Sequence, residues 1–118
     1  MEVLIETQHV VLPSNGASSL RRRVNKAMQR TSAHISRLHL SIKDINGKKG
    51  GRDKVCTVRA TLVQGGQVVV VEKSEKVRGA LIGALRRSRS VIRSELKRRR
   101  QRRRIADDPA IHFGFDHV

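Results

Sequence analysis

The clearest structural pattern of this chain lies in LHLSIKDINGKKGGRDKVCTVRATL, residues 38–62. Apolar and polar side chains alternate from Leu38 to Lys43 and again from Val55 to Leu62, which is the period of a half-buried β-strand. The segment between these two runs is rich in glycine, a residue that gives the backbone freedom for a wide turn. Two alternating runs around such a segment predict a β-hairpin.

The turn segment Asn46–Arg52 is also basic, and glycine combined with charge can indicate a loop that binds phosphate or calcium. A P-loop requires a Gly-Lys-Ser/Thr triplet, and the chain contains none. A calcium loop that began at Asp44 would need an oxygen ligand, a glycine and a glutamate where this chain has Lys48, Lys49 and Val55. We therefore expect no nucleotide site, no metal site and no cofactor.

One strand and one helix are predicted before the hairpin. Val3–Leu12 is apolar, rich in β-branched residues and stopped by Pro13, which predicts a strand. A Ser-Asn-Gly break follows, and a helix is predicted from about Ala17 to Ala33. The apolar residues of this helix recur at helical spacing, at Leu20, Val24, Ala27 and Met28.

A further strand and a long helix are predicted after the hairpin. The tight turn Gln64–Gly66 leads into Gln67–Glu72, a strand with four valines. Ser74 is a good N-cap for a helix that continues into the arginine-rich run KRRRQRRR. One side of this helix is predicted to face the core and consists of Val77, Leu81, Ala84, Leu85, Ser88, Ile92 and Leu96.

These elements give the order β-α-β-β-β-α and an α+β fold. The first β-α-β connection is long enough for a right-handed crossover, which would make the first two strands parallel. A four-stranded mixed sheet with two helices packed on one face would bury every apolar side. We expect a single domain over residues 1–104 and a flexible C-terminal tail over residues 105–118, because the tail shows no periodic pattern.

Charge is the dominant feature of the composition. The 118 residues include 26 Lys and Arg against 10 acidic residues, for a net charge of +16, which attracts RNA, DNA or an anionic membrane surface. The chain has no apolar run that would span a membrane and no signal-peptide pattern, and its single cysteine fits a reducing cytoplasm. The five histidines are scattered and no nucleophile motif is present, so we do not expect an enzyme.

The excess charge is concentrated on one side of each predicted helix. The ordinary interpretation of a charged helix face is a solvated surface, but such a surface usually carries mixed charge. Like charges without compensating acids destabilise a helix unless a polyanion binds them. The strands lack aromatic residues for base stacking, which favours contacts to backbone phosphates. The candidate RNA-binding residues are Arg22, Arg23, Lys26 and Arg30 in the first helix, Lys48, Lys49 and Arg52 in the turn, and Arg78, Arg86, Arg89, Arg93, Lys97 and Arg100 in the second helix.

The chain resembles the ribosome hibernation factor family, which includes hibernation-promoting factor and ribosome-associated inhibitor A and was once known as sigma-54 modulation proteins. The resemblance rests on the element order, on the opening VLIETQHVVL and on the hairpin, and it covers roughly residues 1–96. The hairpin carries an Asp-x-Asn-Gly-x-x-Gly-Gly-x-Asp-Lys-x-Cys signature that resembles one branch of the family, at Asp44, Asn46, Gly47, Gly50, Gly51, Asp53, Lys54 and Cys56.

This resemblance implies a cytoplasmic, monomeric partner of the small ribosomal subunit. Members of the family bind small-subunit rRNA in the channel for messenger and transfer RNA through basic helix faces, and they silence translation in stationary phase or stress. Long relatives add a C-terminal domain that pairs two ribosomes, and we expect no such domain here. The positions that match the family's basic faces are Arg22, Arg23, Lys26, Arg30, Arg86, Arg89 and Arg93.

Two other classes of protein remain open. Many family members carry Ala-Ile-Asp early in the second helix, where this chain has Ala80-Leu81-Ile82, and a second acid is often found at the position of Arg86. The added charge keeps nonspecific binding to RNA or DNA open, as in a nucleoid-associated protein. A double-stranded RNA-binding domain has the order α-β-β-β-α, but its last helix begins with a lysine cluster, and SEKVRG at that point is sparse in charge.

Overall fold

The elements of the fold follow the predicted order. A computed structural model describes residues 1–45 and 53–107 of the chain. A short 3-10 helix between the first helix and the second strand is an addition that the sequence pattern did not indicate. The strands are β1 (Glu2–Gln8), β2 (Ile35–Asp44), β3 (Lys54–Leu62) and β4 (Gln67–Ser74), and the helices are α1 (Gly16–Ala27), the 3-10 helix (Ser32–His34) and α2 (Val77–Asp107).

The four strands form one mixed sheet in the order β1-β2-β3-β4. β1 and β2 are parallel, with Val3 opposite Leu38, which confirms the predicted parallel pairing. β2, β3 and β4 are antiparallel neighbours, and Ile42 lies opposite Cys56. The hairpin predicted from residues 38–62 is therefore confirmed in its two strands.

Both helices cover the same face of this sheet. Alternate residues of β2 and β3 are buried, and the residues between them reach the other face. The buried residues of α1 and α2 join those of the strands in one hydrophobic core, so the predicted α+β architecture is confirmed. The predicted stripe of α2 lies in this core or against it, at Val77, Leu81, Ala84, Leu85, Ser88, Ile92 and Leu96.

β1 is shorter than the strand predicted over Val3–Leu12. It ends at Gln8, and the next residue, His9, has a φ of 59°, which turns the chain away from the sheet. Val10 and Leu12 nevertheless pack against the hydrophobic core. Their apolar side chains serve packing beside the sheet rather than strand pairing, and a short apolar run does not distinguish these two uses.

α1 ends at Ala27, well before the end predicted at Ala33. The next residue, Met28, places a fully buried side chain in the core. The buried hydroxyl of Thr31 donates a hydrogen bond to the Met28 carbonyl at 3.4 Å, and such local hydroxyl bonds compete with helix continuation. The helical spacing of the apolar residues is confirmed, but the predicted end of the helix is wrong.

α2 begins at Val77 rather than near Ser74, and it continues to Asp107, past the predicted domain boundary at residue 104. Ser74 is the last residue of β4, and its hydroxyl accepts a hydrogen bond from the Lys76 N–H at 3.4 Å. Residues 108–118, most of the predicted tail, lie outside the described residues.

Three charged residues lie close together where β2 ends and β3 begins. Lys54 Nζ lies 2.9 Å from Asp44 Oδ2 and 3.1 Å from Asp53 Oδ2. The hydrogen bond to Asp44 raises the pKa of Lys54 above its ordinary value, so the ammonium stays charged. The Asp53 side chain is buried, and its carbonyl accepts a hydrogen bond from the Ile45 N–H at 2.9 Å.

Replacing Lys54 with Met should destabilise the protein, because the buried carboxylate of Asp53 would lose its neighbouring cation. Breaking a buried ion pair in this way should lower Tm by roughly 10 °C or more in a domain of this size. Thermal unfolding followed by circular dichroism measures the change. The control is Lys73→Met, since Lys73 is exposed and has no ion pair among the described residues. Equal Tm values for the two variants would contradict the prediction.

Candidate nucleic-acid interface

The basic residues of α2 form two groups that differ in their partners. The first group makes ion pairs or hydrogen bonds inside the protein and consists of Arg87, Arg98, Arg99, Arg102 and Arg103. The second group is exposed and has neither kind of contact within residues 1–45 and 53–107; it consists of Arg78, Arg86, Arg89, Arg93, Lys97, Arg100 and Arg104. The unpaired group includes every residue of α2 that the sequence placed on its basic side.

A groove between α1 and α2 brings basic residues of both helices together. In its first section Arg23 of α1 lies across from Arg86 and Arg89 of α2. In its second section Lys26 and Arg30 lie across from Arg89 and Arg93. We call this the interhelix groove. Its Arg and Lys side chains without an ion pair or hydrogen bond among the described residues are Arg23, Lys26, Arg30, Arg86, Arg89, Arg93 and, in the third section described next, Arg100.

The third section of the groove lies beside the 3-10 helix and the β3–β4 turn. Arg30 and Arg93 continue into it, and its other basic lining residues are His34, Arg99, Arg100 and Arg103. Because neighbouring sections share residues, the groove is continuous along α2. The helical rise between Arg86 and Arg100 gives it a length of about 21 Å.

The lining of the interhelix groove contains no Asp or Glu in any of its three sections. Apart from Arg99, which pairs with Glu95, its guanidinium groups have no carboxylate partner among the described residues. A planar guanidinium suits the bidentate binding of phosphate. A length of about 21 Å corresponds to about six phosphates of one duplex strand, at 3.4 Å per nucleotide. The groove can thus accept a nucleic-acid backbone.

The remaining predicted residues lie in other places. Arg22 and Lys97 are exposed on their helices and do not line the groove. Arg78 lies at the start of α2 in a separate cleft that also contains Glu72 and Glu75. The three predicted residues of the turn, Lys48, Lys49 and Arg52, lie outside the described residues.

Sequence reasoning missed three basic residues of the groove, His34, Arg99 and Arg103. The i,i+4 spacing of Glu95 and Arg99 was a signal for one of them. The other two reach the groove through connections that no local pattern shows: His34 ends the 3-10 helix, and Arg103 donates a hydrogen bond to Gln64 Oε1 in the β3–β4 turn at 2.8 Å. Sequence reasoning also could not identify arginines that bind groups distant in the sequence. Arg21 donates to the Val3 carbonyl at 2.7 Å, which holds α1 to β1.

Arg87 has a structural role of the same kind on the opposite edge of the sheet. Its Nη1 donates to the Val71 carbonyl at 3.0 Å and to Glu72 Oε2 at 2.9 Å. Both contacts lie on β4, an edge strand of the sheet. Arg87 therefore helps to hold α2 against this edge.

The described residues give little support to a metal site or a nucleophilic cysteine. His39 and Cys56 lie on neighbouring strands but on opposite faces of the sheet, since Cys56 is in the core while His39 lies 3.4 Å from Glu6. Burial raises the pKa of the Cys56 thiol to about 12, which makes it a poor nucleophile. Among residues 1–45 and 53–107, no three His, Cys, Asp or Glu residues are grouped as metal ligands.

None of the helices in the described ranges has the length and apolar character needed to cross a membrane.

The same fold occurs in solved structures of other proteins. A ribosomal subunit interface protein from Coxiella burnetii is similar with a TM-score of 0.66 and 16% sequence identity, over 82% of this chain and 98% of that chain. The N-terminal domain of Protein Y from Thermus thermophilus is similar with a TM-score of 0.61 and 13% identity, over 78% of this chain and 96% of that chain. The resemblance to the hibernation factor family is thereby confirmed at the level of the fold.

No protein-family model matches the sequence, and no curated protein matches it significantly. At identities this low the common property is the arrangement of strands and helices, and the side chains of the groove have to be judged by their own geometry.

Proposed function

Given the fold shared with a ribosomal subunit interface protein and with Protein Y, we propose that this protein is a ribosome-binding factor. In finer terms, it is a hibernation factor that binds rRNA of the small subunit in the channel for messenger and transfer RNA. The fold, the hairpin signature and the basic helix faces support this proposal together. The protein acts as a monomer in the cytoplasm and needs no cofactor.

The observation that carries the proposal is the interhelix groove with its unpaired cations and its lack of acids. Seven unpaired Arg and Lys residues from α1, the segment after it and α2 converge there, although like charges at such short distances repel one another. A bound phosphate backbone relieves this repulsion. The hydrophobic core holds both helices against one sheet, so the groove is formed before the ligand binds.

The mechanism is occupation of space rather than catalysis. Guanidinium groups in the groove bind phosphates of folded rRNA, and such contacts recognise the shape and charge of the backbone rather than its base sequence. A domain seated in the channel excludes messenger and transfer RNA by its volume. Lys48, Lys49 and Arg52 of the turn add phosphate contacts beyond the groove, as do Arg22, Arg78 and Lys97.

A second candidate is a general double-stranded RNA- or DNA-binding protein. The net charge of +16 and the run of arginines at the end of α2 favour it, since both attract any polyanion. The two candidate functions differ in whether the protein prefers small ribosomal subunits to other RNA. A hibernation factor binds small subunits more tightly than equal masses of other RNA, whereas a general binder does not discriminate.

Sedimentation through a sucrose gradient tests the choice. The full chain is mixed with purified small subunits, large subunits and random-sequence duplex RNA in excess, at about 150 mM salt, where nonspecific contacts are weak. We expect the protein to sediment with the small subunits. Distribution in proportion to RNA mass would identify a general nucleic-acid binder instead.

A further inference from the structure

The inner side of α2 changes its character along the helix. Up to Leu96 it is apolar and packs on the core. Beyond Leu96 helix geometry places Arg99 and Arg103 on the same side, and there α2 lies over the β3–β4 turn instead of the sheet. Gly66 in this turn, with a φ of +85°, leaves room for Arg99, because a Cβ there would lie 2.9 Å from Arg99 Nη2.

Glu95 lies at the centre of the contacts in this half of α2. Its Oε1 accepts a hydrogen bond from Arg99 Nε at 2.9 Å and lies 3.9 Å from Arg102 Nη2, and its Oε2 pairs with Arg98. The hydrogen bond from Arg99 lowers the pKa of Glu95 below its usual value, so the carboxylate is ionised at neutral pH. One acid thus partly neutralises three arginines.

Two of these arginines point away from the interhelix groove. At 100° per residue, Arg98 and Arg102 lie roughly 160° around the helix from the basic residues of α2 that line the groove. Both are largely exposed, with side chains 61% and 67% accessible, so a polyanion could reach them. Glu95 partly neutralises the positive charge of Arg98 and Arg102 on this side of α2.

We infer that Glu95 determines the specificity of nucleic-acid binding by keeping Arg98 and Arg102 out of the interface. This inference rests on the proposed function, since it concerns the same helix and the same polyanionic ligand. A helix with unpaired arginines on two opposite sides attracts phosphates from either direction and binds any polyanion. A helix with one basic face requires a ligand whose phosphates match that face, which is a form of selection against wrong partners.

A first experiment compares two double variants that remove the same charge from neighbouring positions. Lys97→Gln/Arg100→Gln removes two unpaired cations, and Arg98→Gln/Arg102→Gln removes two that pair with Glu95. The readout is the slope of log affinity against log salt for random-sequence RNA. We expect the first pair to lower the slope by about two units, at about one unit per lost phosphate contact, and the second pair to change it by less than about half a unit.

A second experiment removes the acid itself. In Glu95→Gln the full chain should bind random-sequence RNA about tenfold more tightly at 100 mM salt, with a slope steeper by one to two units, as about two freed arginines gain phosphate contacts. The control is Glu75→Gln, which changes the net charge equally at an exposed residue without an ion pair among the described residues. Adding Arg98→Gln and Arg102→Gln to Glu95→Gln should return the affinity to its original value.

The outcomes separate this inference from the proposed function. Equal gains in Glu95→Gln and Glu75→Gln would overturn the inference, because net charge alone would then explain them. Equal loss of slope in the two double variants would also overturn it, and this comparison holds even if Glu95→Gln does not fold. If the unmodified protein fails to bind small subunits, the proposed function fails, while the measurements with random-sequence RNA still decide the role of Glu95.

Discussion

Reversing Arg86, Arg89 and Arg93 to Glu should abolish binding to small ribosomal subunits. These residues line the interhelix groove from the side of α2, and they are exposed without ion pairs in the described part of the chain. Like charges placed across an interface cost several kcal/mol, so we expect affinity to fall roughly 1000-fold or more. The fold should be retained, because none of the three side chains belongs to the core.

The matched control reverses three basic residues on the uncovered face of the sheet, Lys43, Arg59 and Lys73. All three are exposed, and in the strand register Lys43 and Lys73 both lie opposite Val55. Both triple variants lower the net charge by the same amount, so they differ only in the surface that changes. Affinity is measured by sedimentation with small subunits, and folding by circular dichroism. Similar losses in both variants would show that net charge, and not the groove, governs binding.

Binding to small subunits should depend strongly on salt. A groove of about 21 Å together with the neighbouring cations corresponds to about six to ten phosphates, each of which releases counterions when it is neutralised. By analogy with duplex DNA, affinity should fall by roughly 10³ to 10⁵ between 50 and 200 mM salt. A titration of small subunits with labelled protein at several salt concentrations gives the slope.

The slope should also report which residues make the contacts. Each unpaired arginine of the groove replaced singly by Gln should lower it by about one unit, whereas Arg59→Gln on the other side of the sheet should leave it unchanged. Binding that is insensitive to salt would contradict an interface made of these basic faces.

The agreement between sequence and structure is best where a periodic pattern is long. Residues 38–62 alternate clearly, and both strands of the hairpin lie where the pattern predicted them. The seven-residue stripe of α2 likewise faces the core. The ends of elements were predicted less well: Met28 and Thr31 end α1 through burial and a local hydrogen bond, and these depend on the packing around them.

The candidate site was predicted in part. Arg23, Lys26 and Arg30 were expected on one side of the first helix, and the structure places them in the groove. Helical spacing alone does not say which helix lies opposite, and so it could not predict that these residues meet Arg89 and Arg93. The roles predicted for Arg22 and Lys97 stay predictions about a surface next to the groove.

The order of the elements, the apolar side of each one and the large excess of positive charge can be read from the sequence, because they follow from composition and from the 2- and 3.6-residue periods of strands and helices. The long-range partners of Arg87 and Arg103, by contrast, depend on the folded chain. Arg87 and Arg86 are adjacent in the sequence, yet one is bound to Glu72 and the other lines the groove. The partners Glu72, Val71 and Gln64 belong to β4 and the β3–β4 turn, which lie next to α2 only after the chain has folded.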